Sequence, residues 1–380
     1  MADRPIKVMI VDDSALMRNL VTRIFESNPG FQVAATAMNG MFALKKLDRA
    51  KPDLIVLDIE MPEMNGIEFL RERQKRGIDV PVIILSSLAE KGAKITMDAL
   101  ALGASDFVLK PGGVTSTQEM RDTAGELLEI AKVYAKRGWK EEEIQPTEAA
   151  ASRRAEAIEA YRPADWRAEP QRPVETRRGI VPLRETGPIE VVAIGISTGG
   201  PNALREFLPG LGDLAVPMLV VQHMPAGFTG EFAQSLDRIC SLEVREAKDG
   251  DLIRPGRVFI APGDSHMSVE VKPLARTVRL SEDPPVNGHR PSADVLFSSV
   301  AKVYGNRCLG VIMTGMGRDG AAEMGSIYRE GGFTVAQDAA SSVVFGMPRV
   351  AIESGVIREV VPLSRMAETI KRLAREHPQD

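Results

Sequence analysis

The stretch VVAIGISTGG, residues 191–200, is an apolar, β-branched run that ends in small and hydroxyl residues. Such a run is typical of a buried strand in a parallel sheet, and the glycines allow the chain to turn sharply into a helix. Ser197 therefore lies at the carboxyl end of a predicted strand, beside the N-terminus of a predicted helix. A serine in this position is a candidate nucleophile, provided that a base lies close to it.

The alternation of strands and helices continues on the C-terminal side of this stretch. Four further strands are predicted at PMLVVQ, RVFIA, CLGVIM and FTVAQ, with helices near 202–208, 228–239, 292–304 and 320–330. The alternating residues between His266 and Leu280 are instead typical of a small antiparallel hairpin. We therefore predict that residues 188–380 form a doubly wound, mostly parallel α/β domain that carries a hairpin.

A second α/β pattern lies on the N-terminal side, between Ile6 and about Arg137. Five apolar runs, IKVMIV, FQVAATA, LIVL, VIIL and DFVL, alternate with five helix-like segments. This order predicts a five-stranded parallel sheet with helices on both faces, and we assign residues 1–137 to it. Residues 138–187 are rich in proline and charged side chains with few apolar residues, so we predict a linker there.

The composition of the 380 residues excludes several classes of protein. A net charge of −4 gives none of the basic excess of a nucleic-acid-binding protein. No apolar run reaches the roughly 18 residues of a membrane helix and the first residues lack a signal core, so we expect a cytoplasmic protein without membrane insertion. Cys240 and Cys308 lie far apart in apolar stretches, which predicts buried thiols rather than a disulfide or a metal site.

Three carboxylates follow strands of the first predicted sheet: Asp12 and Asp13 after IKVMIV, and Asp58 after LIVL. Because ligands collect at the carboxyl ends of parallel strands, these side chains are expected to form one acidic pocket. Mg²⁺ prefers such oxygen ligands, and the backbone carbonyl of Glu60 would complete the set. The sequence therefore predicts a magnesium site in the first domain.

Two further strand ends supply a hydroxyl and an ammonium group, Ser86 after VIIL and Lys110 after DFVL. A carboxylate of the pocket can accept a phosphoryl group, since Mg²⁺ and Lys110 offset its charge of roughly −1.5 to −2 and Ser86 hydrogen-bonds an oxygen. We therefore predict that Asp58 becomes an acyl phosphate. A lone acidic residue is usually a helix cap or a solvated side chain, but matched groups at four strand ends make that interpretation unlikely.

The chain contains four histidines that are candidate bases for the serine. His223 ends the strand PMLVVQ and is expected at the same edge of the sheet as the nucleophile. His289, in NGHRPSADVLF, is the alternative base or, with Arg290, a substrate contact. His266 at the start of the hairpin is typical of a packed or capping residue, and His377 lies in the C-terminal tail.

A carboxylate should orient the histidine and stabilise its protonated form. Asp319 is the first candidate, because it follows CLGVIM in the glycine-rich loop MTGMGRDG. It is also a reasonable helix N-cap, and Asp338 after FTVAQ is the rival acid. The order serine, histidine, aspartate differs from that of α/β-hydrolases, and Ser197 stands where a dinucleotide-binding loop needs glycine. Phosphate binding at the following helix stays a minor alternative.

The first domain resembles the response regulator receiver domains in VDDSALMR, LDIEMPEMNG, the serine pair 86–87 and LKP. The resemblance implies a flavodoxin-like fold, with Asp58 as the phosphoacceptor and Asp12 and Asp13 in the acid pocket. It also implies three switch positions, Ser86, Phe107 and Lys110. An aromatic residue in this place can equally belong to the core.

The second domain resembles the chemotaxis protein-glutamate methylesterases, the CheB family, in GISTGG, QHMP, APGD, HRPSADVLF and MTGMGRDG. A receiver in front of such a domain is the order of that family. The resemblance implies that Ser197 is the nucleophile, His223 the base and Asp319 the orienting acid. The backbone amides of Thr198 and Met316 are then expected to hold the oxyanion.

This family hydrolyses γ-glutamyl methyl esters of chemoreceptors and deamidates receptor glutamines. The resemblance implies chemoreceptors as substrates, a chemotaxis histidine kinase as phosphodonor, and Mg²⁺ for receiver phosphorylation only, with no cofactor for ester hydrolysis. An unphosphorylated receiver is expected to cover the Ser197 edge, and phosphorylation of Asp58 to open it. Two alternatives stay open: a binding protein that has lost activity, and the same chemistry on a non-chemotactic receptor system.

Overall fold

Both predicted sheets are present in the computed structural model, which describes residues 4–87, 90–110, 117–137 and 182–376. The first sheet has five strands and the second has seven, and neighbouring strands are parallel throughout both. A two-stranded antiparallel hairpin belongs to the second domain. The predicted fold class, with its two wound parallel sheets and small hairpin, is therefore confirmed.

The first domain alternates strands and helices along the chain. Its elements are β1 Ile6–Val11, α1 Ala15–Glu26, β2 Phe31–Ala37, α2 Gly40–Ala50, β3 Leu54–Asp58, α3 Gly66–Lys75, β4 Val82–Ser86, α4 Glu90–Ala101, β5 Asp106–Leu109 and α5 Thr117–Arg137. The strand order is β2-β1-β3-β4-β5, so the four strands that carry the predicted phosphorylation site are neighbours. Their carboxyl ends meet at one edge of the sheet.

The second domain is wound in the same way around a larger sheet. Its elements are β6 Val191–Ile196, α6 Gly200–Phe207, a 3₁₀ helix Leu208–Leu211, β7 Met218–Gln222, α7 Phe228–Asp237, β8 Glu243–Glu246, β9 Arg257–Ile260, the hairpin β10 His266–Lys272 and β11 Ala275–Ser281, α8 Ala293–Tyr304, β12 Cys308–Ile312, α9 Ala321–Arg329, β13 Phe333–Gln337, α10 Met347–Glu353, β14 Glu359–Val361 and α11 Leu363–Glu376. The strand order is β14-β13-β12-β6-β7-β9-β8. The strand that leads to the candidate nucleophile is therefore the central one.

Strand β6 is apolar throughout because both of its faces are buried. Val192, Ile194 and Ile196 enter the core on one face of the sheet, and Val191 and Ala193 enter the core on the other. This two-sided burial explains the continuous apolar sequence, since a strand with one solvated face would alternate. The apolar surface buried on both faces holds the end of the strand in a fixed place.

The sequence analysis did not identify strands β8 and β14 or helices α10 and α11. Strand β8 reads EVRE and β14 has three residues, and both lie at the edges of the sheet. Edge strands are often short and charged, so they lack the apolar run by which the inner strands were recognised. Helices α10 and α11 lie in the part of the chain that follows β13, where no helix or strand was predicted.

Residues 183–187 lie at the end of the segment assigned to the linker, but they contact the second domain. The Leu183 amide donates to Arg329 O at 2.8 Å, and the Gly187 amide donates to Asn306 O at 3.0 Å. Most of the predicted linker and His377 lie outside the described residues. Within the described part of the chain, no helix is long and apolar enough to cross a membrane.

Candidate active site and phosphoacceptor site

Ser197 begins the turn between β6 and α6, and backbone geometry fixes this turn. Its amide donates to Thr314 O at 3.0 Å, and its carbonyl accepts from the Gly200 amide at 2.7 Å and from Gln222 Nε2 at 3.1 Å. Gly199 has a φ of 77°, and a Cβ on Gly200 would lie 2.0 Å from Gln222 Oε1. Both glycines are therefore required for a sharp turn that leaves Ser197 at the end of the central strand.

His223 and Asp319 follow the two strands that flank β6, which are β7 and β12. His223 Nε2 lies 2.8 Å from Asp319 Oδ2, and this hydrogen bond is shielded because the two side chains are 8% and 0% exposed. His223 Nδ1 is buried and has no hydrogen-bond partner among the described residues. His223 and Ser197 line the same cavity, but no hydrogen bond joins the Ser197 hydroxyl to His223 among the described residues, so Nδ1 is the ring nitrogen that is left without a partner.

The Asp319 carboxylate is held at the N-terminus of α8. Its Oδ1 accepts from Ser292 Oγ at 2.7 Å and from Asn287 Nδ2 at 2.9 Å, while the Ala293 amide donates to Oδ2 at 2.6 Å. Burial opposes ionisation, but the hydrogen bonds from His223, Ser292 and Asn287 outweigh it and hold the pKa of Asp319 well below its usual value. The helix N-terminus adds positive potential, so Asp319 is ionised beside His223.

Two free backbone amides lie beside Ser197. The amides of Thr198 and Met316 make no hydrogen bond within the described ranges, and both residues line the cavity with Ser197 and His223. A Cβ on Gly315 would lie 2.8 Å from Ser197 Cβ, so this glycine allows the loop that carries Met316 to approach the serine. Unused amides that line the same cavity as a candidate nucleophile are candidates for oxyanion donors, and this role stays a prediction.

The other candidate histidine and carboxylate residues have hydrogen-bond partners that distinguish them from the pair His223 and Asp319. His266 is a packed histidine, as predicted: its Nδ1 accepts from the Ser292 amide and its Nε2 lies 3.2 Å from Pro284 O. Asp338 hydrogen-bonds to Ser341 in the turn after β13 and not to a histidine. Asp319 is the carboxylate that contacts His223, and the helix that follows it begins at Ala321, with Gly320 as an N-cap that has no side chain to cap it.

His289 was the alternative base, and the structure gives it a different position. Its ring stacks on the His223 ring, with centroids 3.8 Å apart and planes inclined by 12°. The neighbouring Arg290 is engaged by Asp264, whose Oδ1 accepts from Arg290 Nε at 2.9 Å. Sequence reasoning missed Asn287 as a partner of Asp319, although it lies in the same NGHRPSADVLF segment.

The acidic residues of the first domain form a cluster at the carboxyl edge of their sheet. One oxygen from each of Asp12, Asp13 and Asp58 lies within 4.8 Å of the others, and Asp13 is exposed. Lys110 Nζ lies 2.7 Å from Asp58 Oδ2 and 3.4 Å from Asp12 Oδ2. Burial raises the pKa of both Asp12 and Asp58, although Lys110 acts in the opposite direction. Glu60 lines the same pocket.

The predicted switch residues have specific partners in this arrangement. Ser86 Oγ lies 2.7 Å from Thr96 Oγ1 on α4, and Thr96 donates in turn to Gly92 O. The Phe107 ring stacks on Phe228 of the second domain, with centroids 5.0 Å apart and planes inclined by 8°. The predicted switch position Phe107 therefore lies in the domain interface, and its role as a switch stays a prediction.

The first domain lies over the Ser197 edge of the second sheet. Asp106 Oδ2 accepts a hydrogen bond of 3.1 Å from the Gly199 amide, in the turn that carries the serine. Asn202 Nδ2 donates to Ala104 O and Ser105 O at 3.1 and 2.9 Å. A cavity of about 830 Å³ between the domains is lined by Ser197 and His223 on one side and by receiver residues on the other. Asp106 was not predicted, although an acid at the start of a buried strand is an unusual signal.

Comparison with known proteins identifies the families of the two domains. The family model described as CheB methylesterase matches residues 192–370, and the response regulator receiver domain model matches residues 8–121. A Treponema denticola protein named protein-glutamate methylesterase/protein-glutamine glutaminase is 52% identical over 373 residues, which cover 98% of this chain and 99% of that protein. A protein of the same name from Treponema pallidum is 49% identical, and the alignment covers 97% of this chain and 96% of that protein.

The solved structure of the Thermotoga maritima CheB methylesterase catalytic domain is 38% identical and covers 49% of this chain and 98% of that domain, with a TM-score of 0.48. The full-length relatives extend over both domains, so the order of domains is shared as well as the motifs. The family resemblance predicted from the sequence motifs is therefore confirmed. The chain belongs to the CheB methylesterase family, with a response regulator receiver domain in front of the methylesterase domain.

Proposed function

We propose that this protein is a phosphorylation-controlled protein-glutamate methylesterase and protein-glutamine glutaminase that acts on chemoreceptors in the cytoplasm. Residues 188–380 form the catalytic domain, residues 1–137 the receiver and residues 138–187 the linker. One observation carries the proposal: the hydrogen-bonded pair of His223 and Asp319 lies beside Ser197 at the end of the central strand. The names of the full-length relatives support the choice of substrate.

Ester hydrolysis proceeds through a covalent intermediate on the serine. Ser197 Oγ attacks the γ-carbonyl carbon of a methylated glutamate, and its proton passes to Nδ1 of His223. The amides of Thr198 and Met316 donate to the oxyanion of the tetrahedral intermediate. When the bond to the methoxy oxygen breaks, the same nitrogen protonates that oxygen and methanol leaves an acyl-serine.

The second half of the reaction restores the enzyme. His223 takes a proton from water, the hydroxide attacks the acyl carbon, and Ser197 leaves with the proton that His223 returns. Ionised Asp319 holds the Nε2–H of His223 throughout and stabilises the imidazolium that forms twice per turnover. Glutamine follows the same steps, with ammonia as the leaving group in place of methanol.

The acidic pocket of the receiver fits a magnesium ion. Asp12 Oδ2 is buried with Lys110 Nζ 3.4 Å away, and three carboxylates converge on the pocket around this one ammonium group. Asp12, Asp13, Asp58 and the backbone carbonyl of Glu60 would hold the ion, which when bound offsets the charge of the phosphoryl group. Asp58 accepts that group from a phosphohistidine of the kinase. Lys110, whose Nζ lies 2.7 Å from Asp58 Oδ2, contributes a further positive charge.

Phosphorylation of Asp58 would open the active site. Ser86 has to leave Thr96 on α4 in order to donate to the phosphoryl group, and α4 packs against α7 of the catalytic domain. Phe107 lies on β5 and stacks on Phe228 of the catalytic domain. A movement of β5 on phosphorylation would therefore disturb the interface that covers Ser197. The phosphorylated receiver thus favours an open arrangement of the two domains.

Methanol release from a methyl-labelled receptor tests this proposal. The full-length protein is incubated with the receptor, with and without a small phosphodonor and Mg²⁺. We expect slow release alone and faster release with the phosphodonor. No release under either condition would indicate a binding protein without esterase activity. Equal release under both conditions would show that the protein is an esterase whose rate phosphorylation does not control.

A further inference from the structure

We infer that His289 is a positioning residue that holds the imidazole plane of His223 during catalysis. The inference rests on the proposed function, in which His223 is the base. The two rings lie face to face, with centroids 3.8 Å apart and planes inclined by 12°. Contact over the whole ring face restrains the ring plane in a way that a hydrogen bond to a single atom does not.

His223 needs such a restraint because one hydrogen bond alone holds its ring among the described residues. Nε2 is fixed by Asp319 at 2.8 Å, whereas Nδ1 has no partner. The ring can tilt about the Nε2 contact, which would move Nδ1 away from Ser197. A flat neighbour prevents this tilt, and a misplacement of about 1 Å at a reacting group can lower the rate about 100-fold.

The turn that carries His289 is rigid. Val286 and His289 exchange two backbone hydrogen bonds of 3.0 and 3.1 Å, and the two residues between them, Asn287 and Gly288, have φ values of 53° and 79°. An Asn-Gly pair with positive φ at both positions is typical of a tight two-residue hairpin turn. The turn therefore fixes the direction in which the His289 side chain leaves the backbone.

The same turn is tied to the acid that orients His223. Asn287 Nδ2 donates to Asp319 Oδ1 at 2.9 Å, while Asp319 Oδ2 lies 2.8 Å from His223 Nε2. Asp319, Asn287, His289 and His223 thus form a closed ring of contacts. His289 is placed relative to the carboxylate and not only relative to the histidine, which is the arrangement that a positioning residue requires.

The charge of His289 suits this position. Burial and the neighbouring His223 lower the pKa of His289 to about 4, although Asp319 acts in the opposite direction. His289 is therefore neutral at pH 7 and does not repel the positive charge that His223 gains. Its side chain makes no hydrogen bond within the described part of the chain, so its contact with His223 is through the ring face and not through a proton.

The test compares a flat and a small replacement in the full-length, phosphorylated protein. His289→Phe keeps an aromatic face without nitrogen atoms, whereas His289→Ala removes the face. For His289→Ala we expect kcat for methanol release to fall about 30- to 100-fold with KM within about twofold. His289→Phe should stay within about fivefold of the wild type. Thermal unfolding of each variant separates this effect from a loss of the fold.

Two results would overturn the inference. Wild-type kcat in folded His289→Ala would show that the stacking is dispensable, and equal losses in folded Ala and Phe variants would show that a ring nitrogen is needed. If Ala does not fold, the Phe variant alone decides, because a loss well beyond fivefold contradicts a role of the ring face. Failure of the proposed function gives another pattern, in which wild type releases no methanol or Ser197→Ala remains active.

Discussion

Asp58 and Asp319 are both buried at the carboxyl edge of a parallel sheet, but their surroundings give them opposite properties. Asp58 lies in a cluster with other carboxylates, and burial raises its pKa despite the ammonium of Lys110. Asp319 accepts hydrogen bonds from a histidine, a hydroxyl, a side-chain amide and a backbone amide, and its pKa is lowered. Burial alone therefore does not decide the role of a carboxylate. The donors around Asp319 keep it ionised, whereas the surroundings of Asp58 favour its ionised form less, and we propose that Asp58 is the carboxylate that accepts a phosphoryl group.

Removing the Ser197 hydroxyl should produce the largest difference between the two sites, because it should abolish methanol release and leave phosphorylation of the receiver intact. Ser197→Ala is expected to lower kcat for methanol release about 10⁶-fold, because the covalent route is lost. The receiver should still accept a phosphoryl group on Asp58 from a small phosphodonor. Near-normal methanol release by this variant would show that Ser197 is not the nucleophile.

Removing the negative charge of Asp319 should lower kcat by less than removing the Ser197 hydroxyl. Asp319→Asn is expected to lower kcat about 10⁴-fold, since an amide neither stabilises imidazolium nor fixes the required tautomer of His223. The matched control is Asp338→Asn, because Asp338 follows the neighbouring strand and its carboxylate accepts from Ser341 in a local turn. Equal rates for these two variants in steady-state assays would show that Asp319 does not orient the base.

Blocking the reactive carboxylate should affect regulation and not the chemical step. In Asp58→Asn we expect the increase produced by phosphodonor and Mg²⁺, about 5- to 150-fold for a typical coupling energy, to disappear. Asp48→Asn, on the exposed face of α2, serves as the control. The ratio of methanol release with and without phosphodonor measures the effect, and a ratio unchanged by Asp58→Asn would place the switch elsewhere.

Weakening the contact between the two regions should raise the unphosphorylated rate. Asn202→Ala removes two hydrogen bonds to receiver carbonyls, each worth about 1 kcal/mol, so we expect an increase in unstimulated methanol release of up to about 30-fold. Asn306→Ala is the control, because Asn306 donates to Glu185 O, away from this interface. A rate for Asn202→Ala that matches the control would argue against an inhibitory interface.

The smallest expected effect is a change of stability with pH at Asp106. Burial raises the pKa of Asp106 to about 6, so the folded state favours its neutral form. Its contribution to stability is present at low pH and is lost as the pH rises through about 6, at about 1.4 kcal/mol for each unit of pKa. Asp106→Asn should therefore raise Tm more at pH 7.5 than at pH 4. An equal change at both pH values would contradict the assignment.

Much of both sites could be predicted from the sequence because strand ends define them. The apolar runs locate β6 and its neighbours, and the residues after each run share one edge of a parallel sheet. This rule is local, so it predicted without any knowledge of packing that His223 and Asp319 lie near Ser197 and that Asp12, Asp58 and Lys110 lie together; the structure has both groupings, while the roles of these residues stay predictions.

The remaining contacts depend on surfaces that meet only after folding. The stacking of His289 on His223 depends on where a tight turn places one side chain, and the bond from Asn287 to Asp319 depends on the same turn. The stacking of Phe107 on Phe228 joins two domains, which no periodicity within one domain can predict. Side-chain partners across turns and interfaces therefore had to come from the structure.

Covalent labelling of Ser197 measures at once whether this serine is the nucleophile and whether the receiver controls access to it. The full-length protein is treated with a small fluorophosphonate, with and without phosphodonor and Mg²⁺, and the modified residue is located by mass spectrometry. We expect one adduct, on Ser197, that forms faster when Asp58 is phosphorylated. Methanol-releasing enzyme that is not modified at Ser197, or labelling that phosphorylation does not accelerate, would contradict this expectation.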